Sequence, residues 1–443
     1  MGRQVPPRVD FSAVRGKHLL IALSGGADSV ALAALLAQAR PLLGLTLDAA
    51  HLDHGIRAES ARDAQWCREL CRELDIPFHT VRLDVPGERA RTGEGLETVA
   101  RRMRYGWLFE LQKRLGADYI ALAHHMDDQA ETVLMHLARG TGPEGIVGMT
   151  EFSGTLDRPL LGCRKQQLVD YLLRRGLGWR EDATNAVADN ARNALRLHGI
   201  PALEQSYPRV VPAIARYALS AGIESDYVAK QTEVYLKTHA LTGPFGRLLR
   251  LEDGLHPALL RRAIRALCEN DLGWERLNAV AALAEGNRGA TEVSGDLYAQ
   301  RGRLGIYFLH RRPPDMREAP LALCGNTTLD GLCAVEAGPA PPVPIRNDPM
   351  RQALDADALE GAVLRTRRDG DRIRPLGCGG KLLSDYFTDK KLDRPLRDCV
   401  ALVARGKDVL WACGLGISED AKLTSATRRA VALKCRYSFD MIL

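Results

Sequence analysis

Six consecutive residues, Ser24-Gly25-Gly26-Ala27-Asp28-Ser29, combine the residue types that a phosphate-binding turn needs. An apolar segment, 17–23, precedes them and an Ala- and Leu-rich segment, 30–40, follows, which predicts a strand, a tight turn and a helix. Glycines let the backbone approach a ligand closely, and amides at a helix start favour an anion. Because a carboxylate would repel phosphates, Asp28 indicates an accompanying Mg²⁺. An ordinary capped helix start is the alternative, and the absence of Gly-Lys-Ser/Thr excludes a Walker A loop.

A second polar stretch, His124-His125-Met126-Asp127-Asp128-Gln129-Ala130-Glu131-Thr132, lies where a strand is predicted to end and a helix to begin. Asp128 and Glu131 are three residues apart, so they share one helix face and could act together on a metal or a proton. Asp127 fits the simpler interpretation of an acidic first turn favoured by the helix dipole. A zinc site is less favoured, because no further ligand has zinc spacing.

Three further clusters carry groups that bind anions or bases. His51, His54 and Arg57 follow the second predicted strand, and Arg57 could contact phosphate or RNA, although the histidines also suit structural roles. On a predicted helix, Arg101 and Arg104 share a face, which also fits a solvated basic stripe. The third cluster comprises Glu181-Asp182-Ala183-Thr184-Asn185, Asp189 and Ala191-Arg192-Asn193-Ala194-Leu195-Arg196.

The first half of the chain alternates predicted strands and helices. Strands are predicted at 43–50, 77–85 and 118–124, and helices at 58–74, 96–115 and 127–139, with a polar loop at 86–95. This alternation predicts an α/β fold with a doubly wound parallel sheet, which binds ligands at the carboxyl ends of its strands. The glycine turn and the 124–132 stretch both fall at that edge.

The second half follows a different pattern. Helices are predicted at 219–241, 257–270 and 273–285, followed by a hairpin at 291–310, and together they indicate a small, mainly helical domain. A Pro-rich stretch between 313 and 344 indicates a linker, and an α+β module is predicted from 346 to 443. Between 365 and 436 there are 17 Lys or Arg and 9 Asp or Glu residues, which favours a polyanionic partner such as nucleic acid.

Composition narrows the class of protein. The 443 residues are 46% hydrophobic and 26% charged, which is typical of a soluble globular protein. Neither a secretory signal nor an apolar run long enough for a bilayer is evident, so we expect a cytoplasmic protein without a membrane partner. None of the ten cysteines forms a CxxC pair, and we expect free thiols with neither structural zinc nor a disulfide framework.

The SGGADS turn resembles the SGGxDS loop of the ATP pyrophosphatases, or PP-loop enzymes. Together with HHMDDQAETVLMHLARGTG, EDATN and ARNALR, it is similar to the tRNA(Ile)-lysidine synthase family. The C-terminal segments LRTRRDGDRIRP, KLLSDYFTDKKLDRPLRD and LWACGLGIS resemble the last domain of that family. The resemblance implies an adenine nucleotide alpha hydrolase-like catalytic domain over 1–216, a mainly helical tRNA-binding domain over 217–312 and a basic tRNA-binding domain over 346–443.

The resemblance also implies an activity and residue roles. The family uses ATP and Mg²⁺ to adenylate the wobble cytidine in the CAU anticodon of tRNA(Ile), and then joins L-lysine to C2. The turn residues Ser24, Gly25, Gly26, Ala27, Asp28 and Ser29 would bind ATP, and Asp28 and Asp128 would hold the metal. The catalytic set would be Asp28, Arg104, His124, Asp128, Glu131 and Arg196. A homodimer is left open.

Three other functions remain as alternatives. A tRNA thiolation enzyme of the same superfamily would need a sulfur carrier or an Fe–S cluster, against which the missing CxxC counts. An amide-forming ligase such as NAD or GMP synthetase fits the basic C-terminal module poorly. A non-catalytic RNA-binding protein on a decayed nucleotide fold fits poorly with the intact acidic residues Asp28, Asp128 and Glu131.

Overall fold

A computed structural model describes residues 7, 9–53, 60–180, 191–244, 246–268, 272–286, 288–310, 318–341 and 348–439. The chain divides into two compact units, Met1–Asp226 and Tyr227–Leu443. Within the described ranges, no helix is long and apolar enough to cross a membrane. His54 and Arg57, like the stretch Glu181 to Asp189, lie outside the described residues.

The first unit is built on one sheet. Its strands are β1 (His18–Ala22), β2 (Thr46–Asp53), β3 (Phe78–Arg82), β4 (Tyr119–Ala121), β5 (Phe152–Ser153) and β6 (Leu156–Asp157). Its helices are α1 (Ala27–Leu43), α2 (Ser60–Glu73), α3 (Val85–Thr92), α4 (Leu96–Leu115), α5 (Met126–Ala138), α6 (Pro143–Ile146), α7 (Lys165–Arg175), α8 (Ala191–Ala194), α9 (Ile200–Ser206) and α10 (Val210–His239), which contains the boundary.

The strand order is β3-β2-β1-β4-β6-β5, with β5 antiparallel and the other neighbours parallel. The order reverses between β1 and β4, because β1 pairs with β2 on one side and with β4 on the other. Separate apolar clusters include Leu19 and Ile21 of β1 on one face and Leu20 on the other, as expected for a sheet covered on both faces. The predicted parallel α/β fold is confirmed.

One predicted loop is wrong. Within 86–95, which was expected to be a polar loop, the chain forms the helix α3. Asp84 caps this helix by accepting a hydrogen bond from the Gly87 amide at 2.9 Å, and Pro86 occupies the first turn, where a missing N–H costs nothing. The segment contains too few apolar residues to show a helical spacing, so this helix could not be predicted from hydrophobic periodicity.

The second unit contains three sheets. Strands β7 (Ala240–Gly243), β8 (Gly246–Arg250), β9 (Ala290–Ser294), β10 (Leu297–Arg301) and β11 (Gly305–His310) form the first sheet, beside helices α11 (Pro257–Cys268) and α12 (Trp274–Ala282). The other two sheets contain the strands β12 (Glu318–Pro320), β13 (Gly325–Leu329), β14 (Cys333–Pro339), β15 (Arg351–Asp355), β16 (Val363–Arg365), β17 (Arg372–Ile373), β18 (Lys381–Leu382), β19 (Leu402–Arg405), β20 (Asp408–Ala412), β21 (Gly416–Ile417) and β22 (Ala430–Tyr437). Helix α13 (Leu383–Asp389) follows β18 in the chain.

The predicted hairpin at 291–310 is confirmed as part of a five-stranded sheet, but the predicted linker is wrong. Residues 318–341 of the Pro-rich stretch form β12, β13 and β14, which pair with later strands. One apolar core joins Tyr307 of β11 to Phe387 and Trp411 of the final module, so the two parts belong to one unit. The three domain boundaries drawn from the sequence stay a prediction.

A buried ion pair organises the basic module. Arg365 donates hydrogen bonds to both carboxylate oxygens of Asp371, at 2.8 and 2.9 Å, and also to the carbonyls of Thr366 and Gly406. The Arg368 amide donates to the same carboxylate. Because a buried charge is tolerated only when its hydrogen bonds are made, this pair fixes the turn between β16 and β17.

All ten cysteines are free thiols, and Cys324 and Cys378 are the exposed ones.

A buried acid in β6 should make the stability depend on pH. Neither carboxylate oxygen of Asp157 has a hydrogen-bond partner among the described residues, and burial, helped by Glu151, raises its pKa to about 7. In the unfolded chain the same group ionises near pH 4. Between those two values the native state holds the extra proton, so the contribution of Asp157 to stability falls as the pH rises.

We therefore expect Asp157→Asn to become more stable relative to the unsubstituted protein as the pH rises from 4 to 8. The difference in the free energy of unfolding should change by up to about 4 kcal/mol, measured by urea denaturation. Asp75→Asn, at a side chain that is 92% exposed, is the matched control and should show little change. Parallel pH profiles for Asp157→Asn and the unsubstituted protein would contradict this account.

Candidate active site

The glycine turn between β1 and α1 is held together by one hydroxyl. Ser29 Oγ accepts hydrogen bonds from the amides of Ser24 and Gly25, each at 3.2 Å, and donates to the Gly26 carbonyl at 3.0 Å. Gly25 has φ +90°, a conformation that suits glycine. The first amides of α1 have no acceptor within the helix, so they remain available to an anion beside the turn.

The turn is also packed tightly from behind. A Cβ placed on Gly25 would lie 3.1 Å from Cys67 Sγ, and the Gly25 carbonyl accepts a hydrogen bond from the Arg180 amide at 2.9 Å. Burial raises the pKa of Cys67 to about 12, so this thiol stays protonated and serves as packing. The positive φ and this tight contact together favour glycine at position 25.

Helix α5 begins with a reciprocal cap. His125 Nδ1 accepts a hydrogen bond from the Asp128 amide at 3.3 Å, while Asp128 Oδ2 accepts one from the His125 amide at 3.0 Å. This pair of bonds satisfies two amides at the helix start. Because Nδ1 accepts, Nε2 is the nitrogen of the neutral ring that carries the proton.

The cap of α5 meets the first turn of α1. His125 Nε2 lies 3.5 Å from Asp28 Oδ2 and 3.4 Å from Asp128 Oδ2, and the imidazole is almost fully buried. Burial alone would favour neutral Asp28, but the hydrogen bond and charge of His125, with Lys165 and Arg196, outweigh it and lower the Asp28 pKa. The pKa of His125 is raised for the complementary reason: burial opposes its charge, but the three nearby aspartates outweigh that cost. The Asp28 carboxylate is thus held ionised beside an imidazole whose other close neighbour is the Asp128 carboxylate.

Glu131 is buried beneath this cluster and is fully paired. Arg196 donates to Oε1 at 2.6 Å and to Oε2 at 2.8 Å, and Arg192 donates to Oε2 at 2.9 Å. Arg196 also donates to Asp128 Oδ1 at 3.0 Å. Arg196 lies in the π-helical turn Leu195–Gly199, an irregularity that is frequent at functional sites. Glu131 therefore positions two arginines, and its oxygens are not free for a metal.

His124 differs from its neighbour His125. Its Nδ1 is buried without a hydrogen-bond partner among the described residues. Burial, aided by the positive charges of Arg158, Arg192 and Arg104, lowers the pKa of His124 to about 4, against the opposing charge of Asp128. The ring is therefore neutral at pH 7 and can accept a hydrogen bond or a proton.

The remaining predicted residues have less direct roles. The Arg104 guanidinium lies 5.3 Å from the ring centroid of Tyr105 and reaches the cluster through its charge on His124. Asp127 holds helix α7 by accepting hydrogen bonds from Arg164 Nε at 3.0 Å and the Lys165 amide at 2.8 Å, which agrees with a structural role.

The structure brings Asp28, Asp128, Glu131 and Arg196 into one connected network around His125. The sequence argument missed two members, His125 and Arg192. The signals were available: His125 stands three residues before Asp128, as in a capping box, and Arg192 stands four residues before Arg196 on one helix face. His51 has a structural contact, because its Nδ1 forms a hydrogen bond with the Leu23 carbonyl at 2.9 Å.

The chain is similar to known proteins over nearly its full length. Residues 8–203 match the profile of the PP-loop domain, and residues 362–433 match that of the TilS substrate C-terminal domain. A tRNA(Ile)-lysidine synthase of Symbiobacterium thermophilum is 36% identical, covering 95% of this chain and 94% of the relative. Another, of Dehalococcoides mccartyi, is 32% identical over 95% of this chain and 96% of the relative.

The pairing of Glu131 leads to a stability prediction. Glu131→Gln removes the charge that holds Arg192 and Arg196, so two half-buried cations lose their shared partner. We expect a loss of about 3 kcal/mol in the free energy of unfolding, measured by urea denaturation. Glu204→Gln breaks the more exposed pair with Arg164 and should cost less than about 1 kcal/mol. Equal losses in the two variants would refute the positioning role of Glu131.

Proposed function

Because the chain belongs to the tRNA(Ile)-lysidine synthase family, we propose that it joins free L-lysine to the wobble cytidine of an isoleucine tRNA with the anticodon CAU. The family assignment rests on similarity over nearly the full length, with both the PP-loop domain and the C-terminal domain matched. The observation that supports the chemistry most directly is the Asp28–His125–Asp128 cluster beside the glycine turn. The reaction uses ATP and releases AMP and pyrophosphate.

In the first step, O2 of the cytosine attacks the α-phosphorus of ATP. A phosphorus–oxygen bond forms to the base as the bond to the pyrophosphate leaving group breaks. The turn around Gly25 and the first amides of α1 would receive the phosphate oxygens, whose charge develops during this step. Arg196, already held by Glu131 and Asp128, would keep its charge oriented before substrate binds.

The acidic residues fit a magnesium ion that enters with ATP. Asp28 Oδ1 is buried without a hydrogen-bond partner among the described residues, and the Asp128 carboxylate lies beside the same imidazole. No set of three or more His, Cys, Asp or Glu within the described ranges could hold a metal alone. This suits Mg²⁺, which uses one or two carboxylates together with phosphates and water. When bound, the ion would neutralise charge on the leaving pyrophosphate.

In the second step, the ε-amine of lysine attacks C2, the C2–O2 bond breaks and AMP leaves with that oxygen. The attacking nitrogen must lose a proton, and it becomes more acidic as the carbon–nitrogen bond forms. Neutral His124, with its unpaired Nδ1, is the group that we assign to accept a hydrogen bond from this nitrogen and so orient it. A ring with a pKa of about 4 is too weak a base to keep the proton at pH 7, so the proton passes on to solvent. The wobble base must leave the anticodon stack to reach the pocket.

The direct test incubates purified protein with ATP, Mg²⁺, radiolabelled L-lysine and unmodified CAU-anticodon tRNA(Ile). We expect label in the tRNA that depends on ATP, with AMP released in proportion, and little label in a methionine tRNA of the same anticodon. AMP without label would indicate another nucleophile and favour the thiolation alternative. A folded protein that binds tRNA but yields neither label nor AMP would favour a non-catalytic RNA-binding protein.

A substitution tests the role of the first carboxylate. Asp28→Asn keeps the side-chain shape but removes the charge, so pyrophosphate release should fall by roughly a hundredfold or more. Asp118→Asn changes the same chemistry beside the amino end of β1, where Asp118 pairs with Lys17, and should leave the rate near normal. Near-normal pyrophosphate release by Asp28→Asn would refute the proposed metal and phosphate role.

A further inference from the structure

A cavity of about 630 Å³ lies in the second unit, and its lining is strongly basic. Two segments far apart in the chain form it: 288–303, which includes β9 and β10, and the turn 392–397 after α13. Among the residues that the structure describes, one acid, Asp393, lines it, so the charged side chains leave a large positive excess. The five basic residues of the lining are Arg288, Arg301, Arg303, Arg394 and Arg397.

The single acid is already occupied by other donors. Asp393 accepts hydrogen bonds from the Arg303 amide at 2.9 Å, the Leu304 amide at 3.1 Å and the Tyr307 hydroxyl at 2.8 Å. These bonds fix the 301–304 turn against the 392–397 turn. A Cβ on Gly302 would lie 2.8 Å from Asp393 Oδ2, so the backbone approaches the carboxylate closely. Asp393 thus builds the cavity wall and pairs with none of the lining guanidinium groups.

The guanidinium groups lack acidic partners. Within the described ranges, the side chains of Arg288, Arg303 and Arg394 make neither a hydrogen bond nor an ion pair, and all three are exposed. Arg301 Nη1 is buried without a hydrogen-bond partner, while its Nε donates to the Gly286 carbonyl at 3.0 Å. The buried, unpaired nitrogen of Arg301 carries a desolvation cost, and the exposed guanidinium groups repel one another. An anion with several oxygens would offset both.

Arg397 shows the same excess of positive charge. Its side chain donates to neutral oxygens only, at Leu392, Ser384 and Thr388. Burial lowers the pKa of its guanidinium, and the positive charges of Arg367 and Arg394 lower it further. Asp393 and Asp398 offset part of this repulsion, but the lining still carries more positive than negative charge, as in a site that awaits a polyanion.

We propose that this cavity, lined by Arg288, Arg301, Arg303, Arg394 and Arg397, binds backbone phosphates of the tRNA substrate. The inference rests on the proposed function, because that function supplies the RNA. A ring of exposed arginines around two deeper ones suits consecutive phosphates along a strand, since a single small anion would leave the rim unpaired. Interactions of this kind add affinity and fix register without reading sequence.

The test compares the double variant Arg303→Gln/Arg394→Gln with the control Arg351→Gln/Arg429→Gln. The control pair lies in the same unit, on exposed positions outside the cavity. Dissociation constants for CAU-anticodon tRNA(Ile) are measured by filter binding over a range of KCl concentrations, with circular dichroism to verify folding. KM values for tRNA, ATP and lysine are measured in the lysine-transfer assay.

For the cavity variant we expect tRNA affinity to fall roughly tenfold, with a matching rise in the KM for tRNA. The slope of log affinity against log salt should become shallower by about 0.7 to 0.9 for each phosphate that the variant no longer neutralises. KM values for ATP and lysine should stay unchanged, and Arg394→Lys, which keeps the charge, should retain most of the affinity.

Three results would overturn the inference. The cavity variant and the control could lose equal affinity, or neither could lose any, and then the cavity would have no special role. Inorganic phosphate could saturate the cavity of the unsubstituted protein without weakening tRNA binding, which would identify a small-anion site. Failure of the proposed function is distinguishable: tRNA binding would depend on the cavity arginines as expected, while no lysine is transferred.

Discussion

Two ionised carboxylates cannot lie close together unless a donor or a cation lies between them, and this constraint governs the candidate active site. His125 Nε2 occupies that position, within 3.5 Å of both Asp28 and Asp128. The imidazole can do so because its other nitrogen caps α5, which fixes the ring and its tautomer. Without this ring, burial and the nearby Asp128 carboxylate would oppose a charged Asp28.

Sheet topology explains why the two motifs meet, although about a hundred residues separate them. In the order β3-β2-β1-β4-β6-β5, strand β1 neighbours β4, so the turns that follow these two strands open at the same edge. The strand order reverses at this point, which is where doubly wound sheets leave a crevice for ligands. The N-termini of α1 and α5 both start at the crevice and favour negative charge there.

Local sequence signals predicted the scaffold well and the tertiary interactions less well. The bounds of α4, Leu96–Leu115, agree with the prediction, and the helix ends at Gly116, whose left-handed conformation is common at helix ends. Arg192 and Arg196 reach Glu131 across 61 and 65 residues, and no local pattern records such a distance. Strand β14 was hidden in a Pro-rich stretch because its partner β22 lies about 100 residues further along the chain.

In the second unit, too, the spatial arrangement of distant segments could not be predicted from the sequence. Composition predicted a basic module, but the sequence could not place β9, β10 and the 392–397 turn around one cavity. Hydrogen bonds from the 303–307 region to Asp393 span nearly ninety residues and hold that arrangement. The charge count therefore indicated a polyanion, while the spatial grouping of arginines needed the structure.

Burying Glu131 with two arginines has a cost that packing alone would avoid. Replacing the acid and both arginines together by well-packed apolar residues would often be at least as stable, whereas removing the acid alone leaves two cations unpaired. The pair instead fixes the direction of Arg196, which also holds Asp128, before any substrate arrives. In the proposed reaction, a group already oriented needs no rearrangement as charge develops on the reacting phosphate, so the stability given up would become stabilisation of the transition state.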